Sequence, residues 1–75
     1  MTETEWATRS SRFLKAELKR AGVGYDELAD RLSKAGMPET KASVANKLSR
    51  GTFQAAFLLA SLKAVGCPTL RLEDV

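Results

Sequence analysis

Histidine is missing from the 75 residues of the sequence, and cysteine occurs only once, at Cys67. Imidazole and thiolate groups are the usual protein ligands of zinc and of redox metals, so little is left from which such a centre could be built. A single cysteine cannot form an internal disulfide, and Cys67 has no histidine to activate it as a nucleophile. We therefore predict a protein with no metal, no cofactor and no enzymatic activity.

A long apolar segment is also missing. The densest apolar run, FQAAFLLASLKAVG, is interrupted by Gln54, Ser61 and Lys63 and is too short to cross a bilayer. The amino-terminal stretch MTETEWATRS has neither the basic start nor the apolar core of a secretory signal. These features lead us to expect a cytoplasmic protein that does not enter a membrane.

Acidic residues are absent from residues 40–66, which contain Lys41, Lys47, Arg50 and Lys63. Residues 1–38, by contrast, contain seven basic and six acidic residues. The net charge of +3 is modest, but its excess lies in the second half of the chain. A local excess of positive charge favours an anionic partner such as nucleic acid.

Apolar residues recur at helical spacing after a tail, residues 1–5, that we expect to be flexible. The first helix is predicted to begin at Trp6 and to end at Gly22, because glycine readily adopts the left-handed conformation that ends helices. Its polar side carries five basic residues: Arg9, Arg12, Lys15, Lys19 and Arg20. This series fits either a solvated face or a stripe that faces phosphate groups, and the solvated face is the commoner case.

Two further helices follow, separated by the turn sequence GMPET. Apolar residues at i, i+3, i+4 and i+7 in VGYDELADRL predict a one-sided helix that begins after Gly24 and ends near Ala35. The third helix, KASVANKLSR, should be capped by Thr40 and ended by Gly51. Its narrow apolar face is formed by Val44, Ala45 and Leu48.

A fourth helix, from Phe53 to about Val65 with Thr52 as its cap, is apolar over most of its circumference. In so small a protein this helix must be central or form a subunit interface, and we expect both roles. The terminal sequence TLRL alternates like a strand, so residues 67–75 fit either a strand paired with a second copy or an extended tail. We predict a homodimer whose interface contains Phe57, Leu58, Leu70 and Leu72.

The chain from Gly22 to Gly66 resembles the helix-turn-helix domains of the lambda-repressor and Cro type. The resemblance rests on the segments AGVGYDELADRL, SVANKLSRG and LKAVG. It implies an all-α domain of four helices over residues 6–66, in which the second helix of the pair enters the major groove of DNA. The whole chain is also similar to a group of small bacterial domains whose function is uncharacterised.

A set of polar residues falls at i, i+3, i+4 and i+7 on the third helix, opposite Val44 and Leu48: Ser43, Asn46, Lys47 and Arg50. Arginine and lysine donate to guanine, asparagine pairs with adenine, and a serine near a helix start can bond a phosphate. Lys41 would neutralise a further phosphate. Taken alone, these residues are ordinary for the solvated face of an amphipathic helix. Together with the order of the helices, the acid-free residues 40–66 and the resemblance, they predict a small bacterial-type transcriptional regulator that binds double-stranded DNA sequence-specifically.

An alternative is a protein-interaction or dimerisation module that keeps the helix-turn-helix fold without binding DNA. Two features favour it. Tyr25 stands where the family often places a glutamine that touches the DNA backbone, and the turn AGMPET is longer than the usual tight turn. Salt-dependent DNA binding distinguishes the two functions.

Overall fold

The computed structural model describes all 75 residues and contains four α-helices: α1 (Glu3–Ala21), α2 (Tyr25–Lys34), α3 (Lys41–Arg50) and α4 (Ala55–Ala64). A single 3-10 turn, Leu72–Asp74, follows them, and the chain contains no β-strand. The predicted all-α class is therefore confirmed. None of the four helices combines the length and the apolar character that crossing a bilayer would require.

The start of α1 differs from the prediction, because the helix begins at Glu3 rather than at Trp6. Thr2 is its N-cap: the Thr2 hydroxyl accepts a hydrogen bond from the backbone N–H of Glu5 at 3.2 Å. The Glu5 carboxylate in turn accepts one from the Thr2 N–H at 3.1 Å. This reciprocal capping box satisfies amide groups that would otherwise lack partners, so residues 3–5, which we expected to belong to a flexible tail, are part of α1.

The other helix boundaries follow the local sequence signals, with one exception. Gly24 is the N-cap of α2, Thr40 is the N-cap of α3, and Gly51 ends α3 in the left-handed conformation, all as predicted. The predicted start of α4 at Phe53 is wrong, since Gln54 is the N-cap and Ala55 the first helical residue. Phe53 belongs instead to an extended link, from which its ring packs against Phe57 with 5.3 Å between the ring centroids.

A core of buried apolar side chains joins the four helices. Leu14 of α1, Leu28 and Leu32 of α2, and Val44 of α3 are completely buried. The other members of this core are Leu18, Val23, Ala29, Leu48, Phe57, Leu62 and Val65. Burying a side chain of this size contributes about 1.5–3 kcal/mol, so these residues account for most of the driving force for folding.

The connection between α2 and α3 is held by hydrogen bonds over its six residues, 35–40. The Met37 N–H donates to the Leu32 carbonyl at 2.9 Å, which continues the end of α2. The Ser33 hydroxyl accepts from the Glu39 N–H and donates to the Glu39 carbonyl, both at 3.1 Å. The longer turn is thus an ordered structure, and α2 and α3 make the most extensive helix–helix contact in the protein.

The carboxyl-terminal segment forms no strand. Hydrogen bonds from Asp74 N–H to the Arg71 carbonyl (3.0 Å) and from Val75 N–H to the Leu72 carbonyl (3.2 Å) close a local turn instead. A lone strand would leave its backbone groups without partners inside one chain, and the turn satisfies part of them locally. Leu70 packs partly against the core, whereas Leu72 is 74% exposed.

Candidate nucleic-acid interface

The outer face of α3 consists of Ala42, Asn46 and Ser49, which are all exposed. It lies opposite Val44 and Leu48, which are 0% and 1% exposed. Small side chains on this face leave room for another surface to approach the helix backbone closely. Lys41 and Arg50, at the two ends of the helix, are exposed as well, and neither forms an ion pair.

Ser43 does not belong to the outer face. Its N–H donates to the Thr40 hydroxyl at 3.0 Å, and its own hydroxyl accepts from the Thr40 N–H at 2.8 Å. The same hydroxyl approaches Oε1 of Glu39 to 2.6 Å, to which it can donate. Ser43 is half-buried and serves as the capping-box partner of Thr40, which the sequence prediction did not foresee.

Lys47 is likewise bound within the protein. Its ammonium group forms an ion pair with Glu39 and lies 4.9 Å from the centroid of the Phe57 ring. The contact with the ring is favourable because the face of an aromatic ring carries partial negative charge. Ser43 and Lys47 together form what we call the Glu39 flank of α3, and the structure does not place them with Asn46 on one free surface.

Glu39 is the residue that the sequence analysis missed. Its side chain is only 5% exposed, and this burial opposes ionisation. Hydrogen bonds from Lys47 and Ser43 more than offset the burial, so the pKa of Glu39 lies below its ordinary value of 4.5. A signal for it was available, since Glu39 lies four residues before Ser43 and eight before Lys47, about one and two turns away.

The opposite side of α3, which we call the α1 flank, contains Ser49 and Arg50 and faces α1. The buried Ser11 of α1 donates its hydroxyl hydrogen bond to the Leu48 carbonyl near the end of α3. Gly51 lies so close to α1 that a Cβ atom there would be 3.2 Å from the Ala7 carbonyl oxygen. These contacts fix the end of α3 against α1.

The four residues predicted to form a dimer interface do not share one surface. Phe57 is 3% exposed and belongs to the core of the single chain, which leaves little of its ring for a second copy to contact. Leu58 borders a cleft of about 620 Å³, whereas Leu70 borders another of about 570 Å³. The first cleft also contains Trp6 and Phe53, and the second contains Leu59, Leu62 and Cys67.

The acidic and sulfur-containing side chains do not come together as a metal site. No group of three or more His, Cys, Asp or Glu side chains is close enough to bind an ion. A hydrogen bond to Glu17 is the main cause that raises the pKa of Cys67, and partial burial adds to it. The raised pKa disfavours the thiolate, which is the form that binds metals and attacks as a nucleophile.

Residues 6–70 match a protein family described as "Domain of unknown function (DUF6471)". The chain belongs to this family. The match contains α2, α3, α4 and most of α1, so the outer face, the Glu39 flank and the α1 flank of the DUF6471 domain all lie within it. No curated protein and no solved structure matches the chain.

Proposed function

We propose that this domain binds double-stranded DNA as a small cytoplasmic transcriptional regulator. In this proposal α2, residues 35–40 and α3 form a helix-turn-helix unit of the lambda-repressor type, and α3 enters the major groove. The resemblance described above supports the fold assignment, and the order and contact of α2 and α3 are compatible with it.

The observation that carries the proposal is the outer face of α3. Ala42, Asn46 and Ser49 are exposed and small, and Lys41 and Arg50 at the helix ends have charges that no carboxylate neutralises. Small residues allow the helix to lie deep in a groove. Asparagine can bond both adenine edge groups, and arginine can bond the two guanine acceptors.

We give two of the five residues first proposed to contact DNA, Ser43 and Lys47, a different role. We assign base contacts to Asn46 and Arg50 and a phosphate contact to Lys41. Ser43 and Lys47 are bound to Glu39, so we assign them the task of fixing the start and the orientation of α3. Lys47 contributes positive charge to the region, but Glu39 neutralises most of it.

Charge reversal at Arg50 tests the proposal. We expect Arg50→Glu to weaken binding to a mixed-sequence duplex at least tenfold at low salt, equivalent to about 1.4 kcal/mol. Fluorescence anisotropy measures the affinity, and circular dichroism verifies that the variant is folded. The matched control is Lys63→Glu, because Lys63 on α4 is, like Arg50, an exposed cation without an ion pair. Absence of binding at micromolar protein, or equal loss in both variants, would contradict DNA binding.

We also propose that the domain acts as a homodimer, since one such unit contacts few base pairs and dimers present two recognition helices. The exposed Leu59 and Leu72 and the half-buried Leu58 and Leu70 are the apolar side chains that support it. Sedimentation equilibrium tests the dimer: a monomer at the concentrations that saturate DNA would contradict it.

A protein-interaction module is the second candidate function. It is favoured by Trp6, whose side chain is 47% exposed beside Phe53 and Leu58 in the cleft of about 620 Å³. Exposed tryptophan next to other apolar side chains is typical of contact surfaces between proteins. This function predicts that Trp6→Ala weakens self-association or partner binding. It also predicts that the substitution leaves any affinity for DNA unchanged.

A further inference from the structure

The unpaired cations of the protein point to a second feature of the DNA-binding surface. Five of the twelve basic side chains form ion pairs, and the other seven do not. Four of the seven lie on α1: Arg9, Arg12, Lys15 and Lys19. The basic surface is therefore shared between α1 and α3, although the sequence pattern alone located it in the second half of the chain.

Two of these α1 cations meet Arg50 in a cleft between α1 and the end of α3. We call it the α1–α3 cleft, and its volume is about 210 Å³. Three cations and three hydroxyl groups line it, and no carboxylate does. The lining residues are Thr8, Ser11, Arg12 and Lys15 of α1, followed by Leu48, Ser49, Arg50 and Gly51.

The cleft has fixed walls. Ser11, 5% exposed, donates a hydrogen bond to the Leu48 carbonyl, and Gly51 lies close to the Ala7 backbone. The separation of α1 and α3 is thus set by a buried serine hydrogen bond and a close backbone approach rather than by long flexible side chains. Like charges on Arg12, Lys15 and Arg50 repel one another, and an anion between them would relieve this repulsion. Arg12 also borders Glu73 and Asp74 on its other side but forms no ion pair with either.

We propose that the α1–α3 cleft binds one phosphate of the DNA backbone, beside the groove that α3 enters. This proposal rests on the proposed DNA-binding function and assigns phosphate contacts to Arg12 and Lys15. Ser49 belongs both to the cleft and to the outer face of α3, so the two surfaces are continuous. A phosphate held here fixes the depth and register of α3 and carries no sequence information itself.

A different role for the same cations gives different consequences. The last carbonyl groups of a helix carry partial negative charge, and cations near them stabilise the helix. If Arg12, Lys15 and Arg50 served only this purpose for α3, neutralising Arg12 and Lys15 would lower the melting temperature. The same substitutions would then reduce DNA affinity no more than neutralising two cations elsewhere on the protein does.

The test compares two double variants with the same change in net charge. Arg12→Gln with Lys15→Gln removes the cleft cations, and Lys19→Gln with Lys63→Gln removes unpaired cations outside the cleft. We expect the cleft variant to bind a duplex of about 20 base pairs at least tenfold more weakly, equally for all sequences. The slope of log binding constant against log salt concentration should become smaller by about one in the cleft variant. The control variant should lose about threefold or less in DNA affinity.

Amide chemical shifts locate the contact. We expect the duplex to shift the N–H signals of Thr8, Ser49 and Gly51 in the wild type. In the cleft variant those shifts should be lost while Asn46 still responds. Equal affinity losses in the two double variants, with wild-type DNA binding intact, would overturn the cleft alone. Cleft shifts with inorganic phosphate but none with the duplex would also overturn it, and a wild type that binds no duplex overturns both proposals.

Discussion

The two flanks of α3 carry the same kinds of polar side chain, but only on one flank do those side chains bind a carboxylate of the protein itself. On the Glu39 flank, Ser43 and Lys47 are both held by one buried carboxylate. On the α1 flank, Arg50 meets Arg12 and Lys15, and no carboxylate is present. One flank is internally neutralised, and the other is free to bind an anion.

Residue type and helical position therefore do not determine whether a side chain is available to bind DNA. Glu39 lies one residue before the acid-free segment 40–66, yet its carboxylate folds back onto α3. A surface that looks uniformly basic in the sequence thus becomes one-sided in the structure. On the α1 flank, Arg12 and Lys15 add positive charge beside Arg50, although they are far from it in the sequence. The hydrogen bond from Ser11 to Leu48 joins the same two helices across 37 residues.

The largest expected effect comes from disturbing the junction of α3 with α1 at Gly51. We expect Gly51→Ala to lower the free energy of unfolding by about 2 kcal/mol. The backbone has φ of 72°, which disfavours a side chain, and the new Cβ would be 3.2 Å from the Ala7 carbonyl oxygen. Urea denaturation followed by circular dichroism measures the change.

Gly22→Ala is the matched control for Gly51→Ala. Gly22 ends α1 with φ of 70°, but a Cβ atom there would meet nothing within 4 Å. Its cost should therefore be the backbone strain alone, about 1 kcal/mol. Equal costs for the two variants would show that the close approach of α3 to α1 contributes nothing.

Local chemistry explains why much of the fold could be predicted from the sequence. Thr40 and Gly51 bound α3 because their side-chain and backbone preferences act over a few residues. The capping box of Thr2 and Glu5 is equally local, and its sequence signature was present but not used. The all-α class follows from signals of this kind.

Contacts between distant residues explain what the sequence did not predict. Phe57 is 3% exposed because it packs in a core that residues from all four helices form. Ser11 bonds Leu48 across 37 residues. Of the candidate site, the outer-face residue Asn46 and the free Arg50 were identifiable, whereas the role of Glu39 required the folded arrangement.

A smaller effect is expected from neutralising the carboxylate of the Glu39 flank. Glu39→Gln should lower the free energy of unfolding at pH 7 by about 1 kcal/mol, because one charged hydrogen bond to Lys47 is lost. Denaturation at several pH values checks it. The folded-state pKa of Glu39 is depressed, so its contribution is complete above the unfolded value of 4.5 and disappears as the pH falls through the folded value.

The control for Glu39 is Glu73→Gln. Glu73 also pairs with a cation, Arg71, but both side chains are about two-thirds exposed. An exposed pair contributes little, so this variant should differ from the wild type by less than about 0.5 kcal/mol at every pH. The description of the Glu39 flank would be contradicted if Glu39→Gln changed the free energy of unfolding as little as Glu73→Gln does. It would also be contradicted if the difference between Glu39→Gln and the wild type did not shrink at low pH.

The smallest expected effect concerns DNA affinity at Lys47, and it depends on Glu39. In the wild type, Lys47→Gln should weaken duplex binding only about two- to threefold, since it removes a nearby charge but no direct contact. In the Glu39→Gln background the ammonium group is released and can reach a phosphate, so the same substitution should cost about tenfold. Anisotropy titrations of the four proteins give both ratios. Equal ratios would mean that Glu39 does not restrain Lys47, and the two flanks of α3 would then be equally available to DNA.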